Sequence, residues 1–268
     1  MNSIVTVSPD KAVIKERFSK AAGLYDRYAD HHRLIAGRLM DFAPQSVFAG
    51  PILEIGCGTG ILTEKLLEFY PDSPLIALDI SPTMIHRCQS KLNYSKRVSF
   101  LVTDAEMYCG QANRFSLVVS SCSLQWFHDR QRFIDSIYTM LPAGGSCLMA
   151  IPVRGMLYEL EESCIFGARK TMRQLDLDNE NKWINRFINS GMDISLSSVE
   201  SVACRYENPL EVLKAIRGIG AGIEQNSDLL NPGDMRKMME YYLKHFRIDS
   251  YGTVSSTYRV LYVLGRKY

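Results

Sequence analysis

Three glycines at alternating positions follow an acid in Glu54-x-Gly56-x-Gly58-x-Gly60. Glycine lets the backbone turn sharply and lets a ligand lie against the main chain with no Cβ between them. Ile52, Leu53 and Ile55 stand before the run, and Leu62, Leu66 and Phe69 recur at helical spacing after it. The stretch reads as strand, tight turn and helix, with unpaired N–H groups at the helix start. Such a turn suits a nucleotide-like ligand. The dinucleotide fingerprint G-x-G-x-x-G is not met, because Ile61 stands where its third glycine belongs and Gly60 comes one residue early.

Two further acids close short apolar runs. Asp79 ends Leu75-Ile76-Ala77-Leu78, and it follows Gly60 at roughly the 20-residue spacing at which an acid reaches a ribose diol. Ser81-Pro82 after it has the form of a helix N-cap with proline at the first helical position. Asp104, with Ala105 and Glu106, follows Val98-Ser99-Phe100-Leu101-Val102. No Ser-His or Cys-His signature accompanies these acids, and the chain has only five histidines. The residues thus point to ligand binding more than to nucleophilic chemistry by a side chain.

The elements that must position them alternate. Strands are expected at 52–55, 75–79, 98–102, 115–121 and 146–151, with helices after the first, second and fourth. That rhythm predicts a parallel, doubly wound sheet. Right-handed crossovers then bring every strand C-terminus, and so every acid above, to one edge. Before this core, Ser8-Pro9-Asp10 opens a helix whose apolar face is Ile14, Phe18, Ala21, Ala22, Tyr25, Tyr28 and Ala29. After it, helices are expected over about 154–190 and 209–250, on either side of a sixth strand near Ser197–Ala203. A seventh strand runs from Thr257 to Gly265. One domain spans 1–268, with the two helical insertions as lids that exclude water from the ligand edge.

Composition narrows the class. A formal charge of +2 gives no reason to expect a nucleic-acid partner. No apolar stretch is long enough to span a membrane, and Met1–Thr6 does not read as a signal peptide. Cys57, Cys88, Cys109, Cys122, Cys147, Cys164 and Cys204 contain no C-x-x-C pair. Free thiols in a reducing cytoplasm are expected, and no zinc or other metal site.

The pattern Glu-x-Gly-x-Gly-x-Gly resembles motif I of the class I S-adenosylmethionine-dependent methyltransferases. The resemblance implies a Rossmann-like, mostly parallel seven-stranded sheet. It also implies S-adenosylmethionine as cofactor and S-adenosylhomocysteine as product. Carried over residue by residue, it gives cofactor contacts at Glu54, Gly56, Cys57, Gly58 and Gly60. Asp79 would take the ribose hydroxyls, with Ile80 and Met84 beside it. Asp104 would take the adenine amino group, with Ala105 and Glu106 following. Ser120 and Ser121 would end the fourth strand beside the reacting methyl. Phe18-x-x-Ala21-Ala22-x-x-Tyr25-Asp26-x-x-Ala29 resembles an N-terminal segment of small-molecule methyltransferases, in which the tyrosine closes over cofactor or acceptor.

Leu124-Gln125-Trp126 resembles two carboxyl methyltransferase families, the trans-aconitate enzymes and the malonyl-acyl-carrier-protein O-methyltransferases of biotin synthesis. Ala215-Ile216-Arg217-Gly218-Ile219-Gly220-Ala221 and the closing strand Thr257–Gly265 favour the second. The resemblance implies an acceptor carboxylate on a malonyl thioester of acyl carrier protein, or of coenzyme A. Acidic carrier protein would meet Arg169, Lys170, Arg173, Arg236, Lys237 and Lys244. A carboxyl group, with an ordinary pKa of about 4, is already the nucleophile at neutral pH. Positioning therefore suffices, with Tyr25, Gln125, Trp126, Arg186 and Arg217 as candidates to hold the acceptor. A trans-aconitate-type or quinone-type methyltransferase, a nicotinamide dehydrogenase and a non-catalytic cofactor-binding protein stay open.

Overall fold

The computed structural model of the chain describes residues 10–108, 110–170, 177–221 and 230–268. Ser8, Pro9, Cys109 and Arg173 lie outside the described residues, as do 171–176 and 222–229 of the two expected helical insertions. The strands β1 (Ile52–Ile55), β2 (Leu75–Asp79), β3 (Val98–Val102), β4 (Leu117–Ser121) and β5 (Ser146–Pro152) pair in parallel. β6 (Asp193–Tyr206) and β7 (Val254–Arg266) are antiparallel to each other, and β7 is antiparallel to β5. The sheet order is β3-β2-β1-β4-β5-β7-β6. The crevice at the strand-order reversal lies between the ends of β1 and β4, which pair directly.

Continuous burial of β1 and β5 is the mark of strands covered on both faces. Alternate residues divide between two cores. Leu53, Ile55, Ile76, Leu78, Val118 and Met149 pack on one face with Phe133, Ile134, Trp183 and Phe187. Ile52, Leu75, Ala77, Val119 and Leu148 pack on the other with Ile35, Leu39, Leu62 and Leu66. The helices that supply these residues are α3 (Asp30–Asp41), α4 (Ile61–Phe69), α6 (Arg130–Met140) and α8 (Glu180–Asn189), and α5 (Pro82–Lys91) adds Ile85 and Cys88 to the second core.

Three differences from the sequence expectation bear on the site. The single N-terminal helix is broken into α1 (Lys11–Ala21) and α2 (Tyr25–Tyr28), with α3 directly after. Gly23 and an exposed Leu24 interrupt the apolar face there. Next, α8 lies within the stretch expected as a lid, yet buries Trp183 and Phe187 under the sheet. Its i, i+4 aromatic pair gives it a core face, so it covers the sheet and not the ligand edge. Finally, β6 and β7 are longer than expected, because they continue as a two-stranded antiparallel ribbon beyond the last β5–β7 pair, Pro152↔Val260, to Tyr206↔Val254.

On that overhang sits a third cluster, built by α7 (Tyr158–Glu162), a π-helical turn (Ser163–Gly167), α9 (Pro209–Gly218) and α10 (Pro232–Phe246). Leu160, Val212, Ile216, Met238, Tyr242 and Val254 form its interior. Pro152, from which the chain leads to α7, is the C-terminal end of β5, so this cluster rises from the same sheet edge as the glycine turn. Among the described residues, no helix is long and apolar enough to cross a membrane.

Candidate active site

At the end of β1 the chain reverses over Gly56, Gly58 and Gly60, with φ of +70°, +55° and +94°. Two of the three also face tight neighbours. A Cβ on Gly56 would stand 2.7 Å from the Ser123 Cβ, and one on Gly60 2.8 Å from the Cys88 Sγ. Gly58 faces open space, so backbone is bare toward the cleft where a ligand would lie. The turn leads into α4, and Gly60 occupies its N-cap position without a side chain to satisfy the helix start.

The cleft beside this turn encloses about 660 Å³, part of it open to solvent. Tyr25, Gly56, Gly58, Asp79, Ile80, Met84, Asp104, Ala105, Ser121 and Trp126 line it. A second, smaller recess shares Tyr25, Gly56, Gly58 and Ser121 with it and adds Glu54, Cys57 and His32. The structure thus brings together residues from the ends of β1, β2, β3 and β4 and from the N-terminal helices.

Asp79 sits at the end of β2. Its Oδ2 accepts the Gly58 N–H at 2.9 Å and its Oδ1 accepts the Ser81 N–H at 2.8 Å. Burial pushes its carboxyl up to about 6, and these two bonds restrain the rise. Each oxygen keeps lone-pair capacity for a ligand hydroxyl. Asp104, capping the 3₁₀ turn Ala105–Met107, accepts the Glu106 N–H at 3.1 Å and a bond from Lys11 Nζ at 3.4 Å.

Glu54 is the most unusual group. It is 1% exposed, and neither carboxylate oxygen has a hydrogen-bond partner. Burial pushes its carboxyl up to about 8; the nearby Thr63 hydroxyl offsets part of that and the Asp79 carboxylate adds to it. A buried carboxyl without a partner beside a recess fits a ligand that brings its own positive charge. Across the recess, Tyr25 Oη and His32 Nδ1 share a hydrogen bond of 2.8 Å. Burial holds the His32 imidazole down at about 4, so it is neutral at physiological pH, and raises the Tyr25 phenol well above its ordinary value.

Several expected residues are engaged elsewhere and do not line either cavity. Glu106 pairs with Lys11 and accepts the backbone N–H groups of His128 and Asp129. Ser120 is buried and donates to the Ile55 carbonyl at 2.9 Å, tying β4 to β1. Gln125 donates to the Cys122 carbonyl at 2.8 Å and leaves its Oε1 buried without a partner. Arg186 is bound to Asp178 at 2.7 Å and lies over Trp183, contacts that clamp α8. Arg217 is exposed on the last turn of α9.

Lys11, Ile14, Phe18, Leu78, Thr103, Cys122, Ser123 and Phe127 complete the larger cleft, and none of them is among the cofactor or acceptor contacts expected from the sequence. Phe18 stands edge-on to Trp126 with centroids 5.5 Å apart, and Lys11 lies over the Phe127 ring. Phe18 was visible in the N-terminal segment; Lys11 and His32 carry no local signal. Among the described residues no cluster of His, Cys, Asp or Glu is arranged to hold a metal ion.

Residues 52–145 match a family model described as a methyltransferase domain. The chain is 30% identical to malonyl-[acyl-carrier protein] O-methyltransferase 1 of Ilyobacter polytropus, over 96% of this chain and 95% of that one. It is 28% identical to the malonyl-[acyl-carrier protein] O-methyltransferase of Acetivibrio thermocellus, over 96% and 94%. Among solved structures, a protein of Bacillus halodurans superposes with a TM-score of 0.63 at 15% identity, covering 87% of this chain and 98% of that one. A phosphoethanolamine N-methyltransferase of Haemonchus contortus, solved with S-adenosylhomocysteine, gives 0.59 at 17% identity, covering 95% and 60%. At these identities the solved structures establish the fold.

Proposed function

The chain belongs to the malonyl-[acyl-carrier protein] O-methyltransferase family, and from that premise we propose that it methyl-esterifies the free carboxylate of a malonyl thioester on acyl carrier protein. It is a methyltransferase and its cofactor is S-adenosylmethionine. The observation that carries the cofactor assignment to this chain's own residues is Glu54, a buried carboxyl with no partner at the edge of the glycine turn.

The cofactor supplies an electrophilic methyl group on a sulfonium. Around it we assign the following roles. Glu54 faces the α-ammonium and becomes a carboxylate when that charge arrives, since an opposite charge favours ionisation. Asp79 accepts from the ribose hydroxyls while the Gly58 and Ser81 N–H groups hold its carboxylate in place. Asp104 accepts from the adenine amino group, with Ile80, Met84 and Ala105 giving the ring apolar contact. Gly56 and Gly58 let the backbone lie against the amino-acid end. Cys57 contributes the middle of the turn, and its N–H is held by the Leu78 carbonyl at 2.9 Å.

The acceptor carboxylate needs no base. Tyr25, Ser121 and Trp126 line the cleft and give it donors and a wall. The chain's work is to place one carboxylate oxygen in line with the methyl–sulfur bond and keep water out, which supplies on the order of 7–11 kcal/mol of the barrier. The outer helices α7, α9 and α10 stand at the same sheet edge, with exposed Lys237 and Lys244 on α10. We assign the acidic carrier protein to that side, where opposite charge speeds encounter. Masking one end of the acceptor as an ester is the use that the biotin-pathway resemblance implies.

The test offers labelled cofactor with malonyl-carrier protein, malonyl-coenzyme A, free malonate, trans-aconitate and a demethylated quinone. Label is expected in the malonyl thioesters. Label in the aconitate or the quinone, and not in a malonyl thioester, overturns the proposal.

A further inference from the structure

We infer that the glycine turn closing α9, Gly218-Ile219-Gly220, is the seat that holds the N-terminal helices over the two cavities, which makes Gly218 and Gly220 positioning residues for the cofactor. The inference rests on the reading that those cavities take S-adenosylmethionine.

Gly218 backs onto α2. A Cβ there would fall on the Tyr28 ring, 2.7 Å from its Cγ. Gly220 backs onto α1 with φ +75°; a Cβ there would stand 3.2 Å from the Arg17 carbonyl oxygen and 3.2 Å from Phe18 Cδ1. Between them Ile219 is buried. Ala221, the next residue, packs against both the sheet core that holds Trp126 and the outer cluster that holds Met238 and Tyr242. The turn is therefore the joint between the outer helices and the cofactor-side wall.

From this joint two short paths reach the cavities. Gly220 touches Phe18, which stands edge-on to Trp126, and both rings line the larger cleft. Gly218 touches Tyr28 at the end of the four-residue helix that begins with Tyr25, and Tyr25 lines both cavities. Helix propensity argues the other way at Gly218, since alanine is the better helix former. Its glycine is explained by the approach of the backbone to the Tyr28 ring. Close-packed contacts of this kind shift as a unit and are not compressed, so a displaced α9 turn displaces the cavity wall.

The experiment compares Gly218→Ala, Gly220→Ala and the double variant Gly218→Ala/Tyr28→Ala with the unchanged chain. S-adenosylhomocysteine affinity by calorimetry, hydrogen exchange of residues 11–28, and unfolding temperature are read on each. Gly218→Ala should weaken affinity by about tenfold, a typical cost of one overpacked contact. Exchange over 11–28 should rise while the β1–β5 peptides stay protected. Removing the Tyr28 ring should restore most of the affinity, because the three atoms nearest the added Cβ all belong to that ring. A lower unfolding temperature with unchanged affinity and unchanged exchange over 11–28 overturns the inference, as does failure of the double variant to recover. Where Gly218→Ala yields no folded protein, Tyr28→Trp presses the same contact from the other side. Absence of binding by the unchanged chain would instead refute the cofactor reading itself.

Discussion

Replacing Glu54 with glutamine should stabilise the ligand-free protein and weaken its hold on cofactor. The side chain is buried, its oxygens are unpartnered, and burial carries its carboxyl from 4.5 to about 8. A carboxyl whose folded pKa is raised favours the folded state at low pH and loses that contribution as pH rises through the folded value. Relative to its stability near pH 4, the folded state therefore gives up on the order of 4–5 kcal/mol by pH 9 through this one group. Glutamine has nearly the same shape and cannot ionise, so Glu54→Gln should lack that decline. The assay is urea unfolding of both proteins from pH 5 to pH 9, with and without S-adenosylhomocysteine. Without ligand, the variant's advantage should be smallest at pH 5, grow up to about pH 8, where the folded carboxyl itself ionises, and level off beyond it. With ligand the order should reverse, because the α-ammonium then lacks its counter-charge. Parallel pH–stability curves for the two ligand-free proteins would refute the reasoning, since Glu54 would then ionise as freely folded as unfolded.

Asp79→Ala should lose two charge-assisted hydrogen bonds, each worth roughly 1.5–3 kcal/mol, and calorimetry with S-adenosylhomocysteine should show at least a hundredfold weaker binding. Because burial sets Asp79 at about 6, cofactor affinity in the unchanged chain should fall as pH drops through that value; a flat affinity from pH 5 to pH 7.5 would contradict the ribose role. Asp178→Asn should destabilise by about 3–5 kcal/mol, because Asp178 is buried between Arg130 at 2.6 Å and Arg186 at 2.7 Å; urea unfolding checks this, and binding of the cofactor product should be unchanged. Hydrogen exchange over 154–170 and 209–221 should slow when cofactor product and acceptor bind, and equal exchange in both states would show those stretches to be fixed parts of the core.

The sheet and the glycine turn were legible because their physics is local. A turn with positive φ at alternating residues is written as glycine. Parallel strands buried on both faces are written as short apolar runs. What was missed depends on partners far along the chain. α3 carries Ile35, Ala36 and Leu39 in its buried face, but histidines and arginines interleave with them, and no start signal precedes Asp30. Lys11 reaches Asp104 across 93 residues, and no spacing rule announces such a contact. Glu106 and Ser120 stand beside motif residues, yet nearby N–H groups and a carbonyl claim their side chains. The i, i+4 pair of Trp183 and Phe187 in α8 is readable in the sequence as a core face.

Fragmentation, by mass spectrometry, of the acyl arm that an amine releases from malonyl-loaded acyl carrier protein after incubation with this enzyme and S-adenosylmethionine tests the central claim most directly. The account predicts an arm one methyl group heavier that loses methanol, as a methyl ester does. An arm that carries the added methyl on carbon beside a free carboxyl, or no gain at all while the cofactor is bound, would contradict it.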